Sequence, residues 1–271
     1  MIKITVKNLT GEKIMRNLKK ILESRYLNIR EYYGLALKLT EKIFKENRIW
    51  IFYFLVLAFA ASVDDVFTLP VGLKNTEWII SMSLVLILSV SYILFYRKVV
   101  YKIEGKEKSE IKKVFFKAVI WGIVEVSAIN LYTNDYFKNK IPDIIPFLAG
   151  IMCVVIYFSF LYFKVLYISR NIRLKDTIEY SFYLGKGNRM RMFFPLFLSE
   201  ILFLQIYLWL DFLLKASVEN KILILLGAFI LTVFQTIFKI LNVALEDVIY
   251  LNVEYMDRKK MSNIEDVRGQ Q

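Results

Sequence analysis

"GKGNRMRMFFPLFLSEILFLQIYLWL", residues 185–210, opens like a phosphate-binding loop and closes as a run of apolar side chains. Which half carries the weight decides the fold. A P-loop needs G-x-x-x-x-G-K-[ST] after a strand, so that backbone amides cradle phosphate and a hydroxyl holds magnesium. Here Lys186 follows Gly185, but the motif's first glycine is missing and Gly187 stands where the hydroxyl belongs. The preceding residues do not read as a strand either. Leu174, Ile178 and Phe182 recur every four residues among Lys175, Asp176 and Glu179. That spacing predicts a short helix lying at a membrane surface. Gly185 is expected to end it in a left-handed conformation, and Gly187–Asn188 to redirect the chain. Lys186, Arg189 and Arg191 then lie at headgroup depth and meet phosphate as lipid headgroups.

The rest of the chain agrees with the apolar half of that stretch. Of its 271 residues 57% are hydrophobic and 16% aromatic, yet the formal charge is +12. The charges are segregated into clusters between long apolar runs, which is the pattern of a polytopic membrane protein. A helix needs about 20 mostly apolar residues to cross the hydrocarbon core. Six segments qualify: Ile49–Leu69, Trp78–Tyr96, Val114–Tyr132, Ile144–Ile168, Phe193–Leu214, and a last one from Ile222 to between Ala244 and Tyr250. They are apolar on successive residues, so the alternation of a membrane β-barrel is absent. The expected fold is all-α: six transmembrane helices in three hairpins, with N-terminal and interfacial amphipathic helices. Residues 1–48 form an interfacial segment, 49–250 the membrane domain and 251–271 a cytoplasmic tail. Gene duplication and convergence both explain three hairpins.

Lysine and arginine set the orientation. Residues 1–48 hold 12 of them, 97–113 seven, 169–192 six and the tail after Tyr250 four, against five on the other side. Both termini are therefore expected in the cytoplasm, with the outer loops short. Anionic lipid is the natural partner of such an inner face, at roughly 1 kcal/mol per basic residue near the surface. A second membrane protein or a second copy of the chain is the other partner class left open. Nucleic acid is not expected, because the basic segments flank spans and form no separate domain.

The first 48 residues are too polar for a secretory signal. "KIMRNLKKILESR" puts Leu18, Ile21 and Leu22 at helical spacing, and "REYYGLALKLTEKIFKENR" does the same for Tyr33, Leu37 and Ile43–Phe44. Both read as amphipathic helices of the membrane interface, given the cations beside them. Packing on another protein segment needs the same stripe.

"RLKDTIEYSFYLGKGNRMRMFFPLFL", residues 173–198, resembles a segment of a bacterial six-span family. That family includes the membrane domain attached to some glycerophosphodiester phosphodiesterases. Ser181, Gly187, Asn188 and Arg189 fit its basic helix and Gly-Asn-Arg-like turn. "LEDVIYLNVEYMDRKK", residues 245–260, resembles its closing aromatic segment. Thr177 and Met190 depart from the pattern. The resemblance implies a membrane module of the bacterial cytoplasmic membrane whose activity is largely undefined, since the family's phosphodiesterase chemistry resides in a separate soluble domain.

Chemistry is scarce in the residues themselves. The chain has no histidine and Cys153 is its single cysteine, so a Cys–His nucleophile and a structural zinc site cannot be built and no cofactor is expected. Charges at mid-span cost about 2.5–3.5 kcal/mol each on insertion scales. That singles out Glu125 near the middle of the third span, and Glu200 and Lys239 in the fifth and sixth. Glu200 and Lys239 are expected to pair, with Gln205, Gln235 and Asn242 as interhelical contacts. Lys117 and Lys164 lie close enough to the inner ends to snorkel and receive no role. Asp64, Asp65 and Asp211 mark outer span ends. Two functions follow. One is a non-enzymatic, lipid-interacting or accessory membrane protein. The other is a small transporter or channel with a polar intramembrane site at Glu125, Glu200 and Lys239.

Overall fold

The computed structural model describes residues 11–63, 74–105, 111–133, 155, 158–170, 172–216 and 221–268. Regular structure among the described residues is entirely helical. The helices are α1 (Gly11–Ser24), α2 (Ile29–Glu46), α3 (Arg48–Val63), α4 (Lys74–Glu104), α5 (Ile111–Thr133), α6 (Phe163–Ser169), α7 (Leu174–Gly185), α8 (Arg189–Ala216) and α9 (Lys221–Arg268).

Three of them are long and apolar enough to cross a membrane: α4 over Met82–Glu104, α8 over Arg189–Leu210 and α9 over Leu225–Met261. They correspond to the second, fifth and sixth expected segments. The first expected segment begins in α3, apolar over Arg48–Ala60 but shorter, and its outer end lies outside the described residues. The third coincides with α5. The fourth lies largely outside the described residues and ends in α6 after a turn at 160–162.

α9 organises the molecule. Its 48 residues measure about 72 Å at ~1.5 Å per residue, well beyond the roughly 30 Å of bilayer hydrocarbon. Part of it must therefore lie outside the hydrocarbon, and burial shows which part. Leu223, Leu226, Phe229, Ile230 and Ile237 are exposed, whereas Ile240, Ala244, Leu245 and Val248–Leu251 are fully buried. α1, α2, α3, α4 and α8 all pack on α9. The helix continues without a break past residue 250, where a tail was expected to begin. α4 likewise runs on through the charged residues 97–104. Both continue because their polar side chains find partners inside the protein, as described below.

The N-terminal helices form where the spacing places them. Asn28 caps α2 in a capping box: its side chain accepts from the Glu31 amide at 2.9 Å, and Glu31 accepts from the Asn28 amide at 2.9 Å. Expected in the membrane interface, their apolar stripes are instead buried in protein. Leu18, Leu22, Tyr32, Ala36, Leu39 and Ile43 join the same core cluster as the inner half of α9. Leu37 points away from it and is exposed. These two stripes sheathe the C-terminal half of α9.

α7 is the converse case. Its buried face is Thr177, Ser181, Leu184 and Gly185, while Leu174 and Phe182 are exposed. The stripe read from the sequence is therefore left open. Gly187, not Gly185, takes the left-handed conformation in the following turn, with φ at 79°. Gly185 serves by having no side chain, since a Cβ there would lie 3.2 Å from Arg189 Nε. Pro195 falls inside α8 rather than at its first turn, because the helix already starts at Arg189. Its missing N–H leaves the Arg191 carbonyl without that partner. Between α4 and α5, a Cβ at Gly122 would come within 3.0 Å of Val90, so glycine permits the close approach that sets Glu125 beside α4.

Candidate functional site

The basic turn that opens α8 does not present a full phosphate cradle. The Lys186 amide donates to the Phe182 and Tyr183 carbonyls, Asn188 to Gly185 and Arg191 to Asn188, so three of the turn's amides are already engaged. The Asn188 side chain donates to Leu184 O at 3.2 Å and Tyr162 donates to Asn188 O at 2.9 Å. Of the three expected headgroup ligands, Lys186 is exposed. Arg189 lies 5.8 and 5.9 Å from the centroids of Phe158 and Phe182. Arg191 stacks on Tyr26 at 4.3 Å, with Lys260 also over that ring at 5.3 Å. Two of the three are thus held by aromatic faces, and only Lys186 extends freely from the turn.

The intramembrane groups converge. A cavity of about 360 Å³ is lined by Glu125, Lys164, Glu200 and Lys239, together with Tyr92, Tyr96, Gln235, Thr236 and Asn242. It lies where α4, α5, α6, α8 and α9 meet, with Ala58 of α3 contributing at its wall. Glu125, Glu200 and Lys239 come from three different helices, yet all three face this one space.

Their pairing differs from expectation. Glu125 is joined to Lys164 at 3.2 Å and accepts a hydrogen bond from the Trp121 indole at 2.8 Å. Lys164 therefore does not snorkel away. Glu200 and Lys239 form no ion pair within 4.0 Å. Glu200 accepts instead from the Asn242 amide at 2.7 Å, and Asn242 in turn accepts from Ser199 at 2.6 Å. The amide reaches Glu200 across the α8–α9 contact and takes the place assigned to Lys239. Lys117 also has a definite role: its ammonium donates to the Tyr167, Arg170 and Ile172 carbonyls at 3.0, 3.1 and 3.3 Å. It thereby satisfies carbonyls left open at the end of α6. Asp64 and Asp65 lie outside the described residues, as does the Asp211 side chain.

Around the C-terminal half of α9 sits a second polar assembly, which the sequence did not announce. Arg170 forms a fork with Glu104 at 2.8 and 2.6 Å, pairs with Glu254 and donates to the Tyr250 hydroxyl at 3.0 Å. Arg258 also reaches Glu254, at 2.8 Å. The Glu104 and Glu254 side chains are only 5% and 1% exposed, so these charges are buried together. Burial opposes the Arg170 charge, but the bonds to Glu104 and the fields of Tyr250 and Glu254 outweigh it and raise its pKa. Nearby, fully buried Asn252 uses its whole amide. It donates to Leu22 O and Arg25 O at 2.7 and 2.8 Å, and accepts from Leu27 N and Tyr32 Oη at 3.1 and 2.8 Å. It ties the α1–α2 connection to α9. Burial pushes the Tyr32 hydroxyl up to about 12, which keeps it a neutral donor. Arg170 and Asn252 escaped notice because each lies in a segment that reads as solvated or aromatic; the capping box at Asn28 was the one legible marker of this layer.

Comparison of the chain with protein-family profiles, characterised proteins and solved structures returned no match.

Proposed function

We propose that this chain is a six-span integral membrane protein of a bacterial cytoplasmic membrane, with both termini inside, that binds a small polar solute in its intramembrane cavity as a small transporter or channel does. One observation carries the reading: Glu125, Glu200 and Lys239, chosen because each is costly in hydrocarbon, line a single cavity. Glu125 and Glu200 each have a protein partner, whereas Lys239 lines the space with no hydrogen bond or ion pair among the described residues. The excess of lysine and arginine on one set of loops supports the orientation. The basic helix, Gly-Asn-Arg turn and span keep kinship with the phosphodiesterase membrane domain as part of the proposal.

A second reading, lipid recognition at the inner surface, rests on α7. Its exposed Leu174 and Phe182 beside Lys186 form an apolar stripe with a cation at its end, suited to anionic headgroups. Both functions fit one protein.

The test is water access. In a Cys153→Ser background, Gln235→Cys faces the cavity and Ile237→Cys faces outward. A small water-soluble thiol reagent should modify the first in proteoliposomes and leave the second. Equal inertness of both would remove the solute-binding reading.

A further inference from the structure

Resting on the cavity being a solute site, we propose that its ligand is a small zwitterion, with its anionic group on Lys239 and its cationic group on Glu200. The lining carries two carboxylates, Glu125 and Glu200, and two ammonium groups, Lys164 and Lys239, and Glu246 lies close enough to act on all four. A space that presents both signs favours a ligand bearing both signs over a lone ion.

The two opposite-charge sets are not equivalent. Glu125 and Lys164 close on each other at 3.2 Å, and the Trp121 indole adds a third partner. Lys239 makes no hydrogen bond and no ion pair within 4.0 Å among the described residues, although Glu125 and Glu200 both act on its charge. Glu200 is held by an uncharged amide, that of Asn242. A cation and a carboxylate thus face the same space without meeting. Both residues are exposed on the protein surface, so in a hydrocarbon setting each charge without an ionic partner is costly, and a zwitterion bridging the two would complete both at once.

Thr236 and Tyr96 also line the cavity and are 1% and 2% exposed. Their hydroxyls are set against Tyr92 and Asp247 respectively, so they form polar wall rather than open partners for a ligand. The cavity's size of about 360 Å³ is at the small end of ligand pockets, which run from about 300 to 1,000 Å³. That suits a molecule of amino-acid dimensions.

The experiment uses the full chain in nanodiscs and follows thermal unfolding while titrating glycine, γ-aminobutyrate, betaine and phosphoethanolamine, with acetate, inorganic phosphate and methylammonium as single-charge probes. At least one zwitterion should raise the melting temperature saturably, with the single-charge probes at least about tenfold weaker, a difference of ~1.4 kcal/mol. Lys239→Met should lose the zwitterion response and keep one to methylammonium. Glu200→Gln should lose it and keep one to acetate. A single-charge probe that matches the best zwitterion in the wild type overturns the proposal. So does silence from every zwitterion while Gln235→Cys is reached by water-soluble reagent; that outcome leaves a solute site of another class. If Gln235→Cys is not reached, the underlying reading fails first.

Discussion

The two halves of α9 carry polar residues under opposite conditions. In the inner half, Asn252 has all four of its hydrogen-bonding positions filled, and Glu254 binds Arg258 and also Arg170, which it shares with Glu104 and Tyr250. In the outer half, Lys239 faces a cavity with no hydrogen bond or ion pair among the described residues. One helix therefore shows what a saturated polar group does and what an unsaturated one is available for. Saturated groups fix geometry: they hold α1, α2 and α4 around the C-terminal half of α9. Unsaturated groups in an apolar setting raise the energy of the empty protein, and a ligand that completes them recovers that energy.

If this contrast is right, breaking the inner half should cost most. Arg170→Ala leaves two buried carboxylates without their shared cation, and should destabilise the protein by roughly 3–5 kcal/mol, read by denaturant unfolding in nanodiscs. Asn252→Ala comes next. It strands two carbonyls, an amide and the Tyr32 hydroxyl inside the core, a cost of about 2–3 kcal/mol in the same assay. It should also loosen α1 and α2 together, visible as faster amide exchange in both helices.

Outside the two halves the effects shrink. Lys186→Ala should leave unfolding unchanged, because the side chain is exposed, while weakening binding of phosphatidylglycerol by about 1 kcal/mol, or roughly fivefold, as measured by native mass spectrometry. The smallest effect belongs to Glu31. The Arg25 hydrogen bond, then the Asn28 amide, lower its pKa below 4.5 in the folded protein. A group depressed on folding stabilises the fold above its ordinary value and loses that contribution as pH falls through the lowered one. The melting temperature should therefore decline slightly as pH drops below about 4.5, and Glu31→Gln should remove that component.

The sequence disclosed the outer half better than the inner. Apolar runs are local and long, so α4, α8 and α9 could be read directly, and a charge inside such a run advertises its own cost, which is how Glu125, Glu200 and Lys239 stood out. Partner choice is not local. Lys164 belongs to Glu125 because α6 turns toward α5, and nothing within a few residues of either signals it. Arg170 sits in a charged segment of the kind that usually faces water, so its burial against Glu104 and Glu254 could not be read from neighbours. The stripes of α1 and α2 were visible, but a stripe does not say whether lipid or protein will cover it; the C-terminal half of α9 decided that. The redirection at Gly187–Asn188 could be read from the sequence, but the left-handed residue is Gly187 and not Gly185, since steric relief at Gly185 and a positive φ at Gly187 leave the same mark in sequence.

The most direct test compares the unfolding of Lys239→Met with wild type in the same nanodisc, without added solute. A charge kept for a ligand contributes nothing to the empty fold, so removing it should leave stability unchanged or raise it, because a desolvated ammonium is gone. A loss approaching that of Arg170→Ala would mean that Lys239 is a structural ion-pair partner and that the cavity is part of the scaffold.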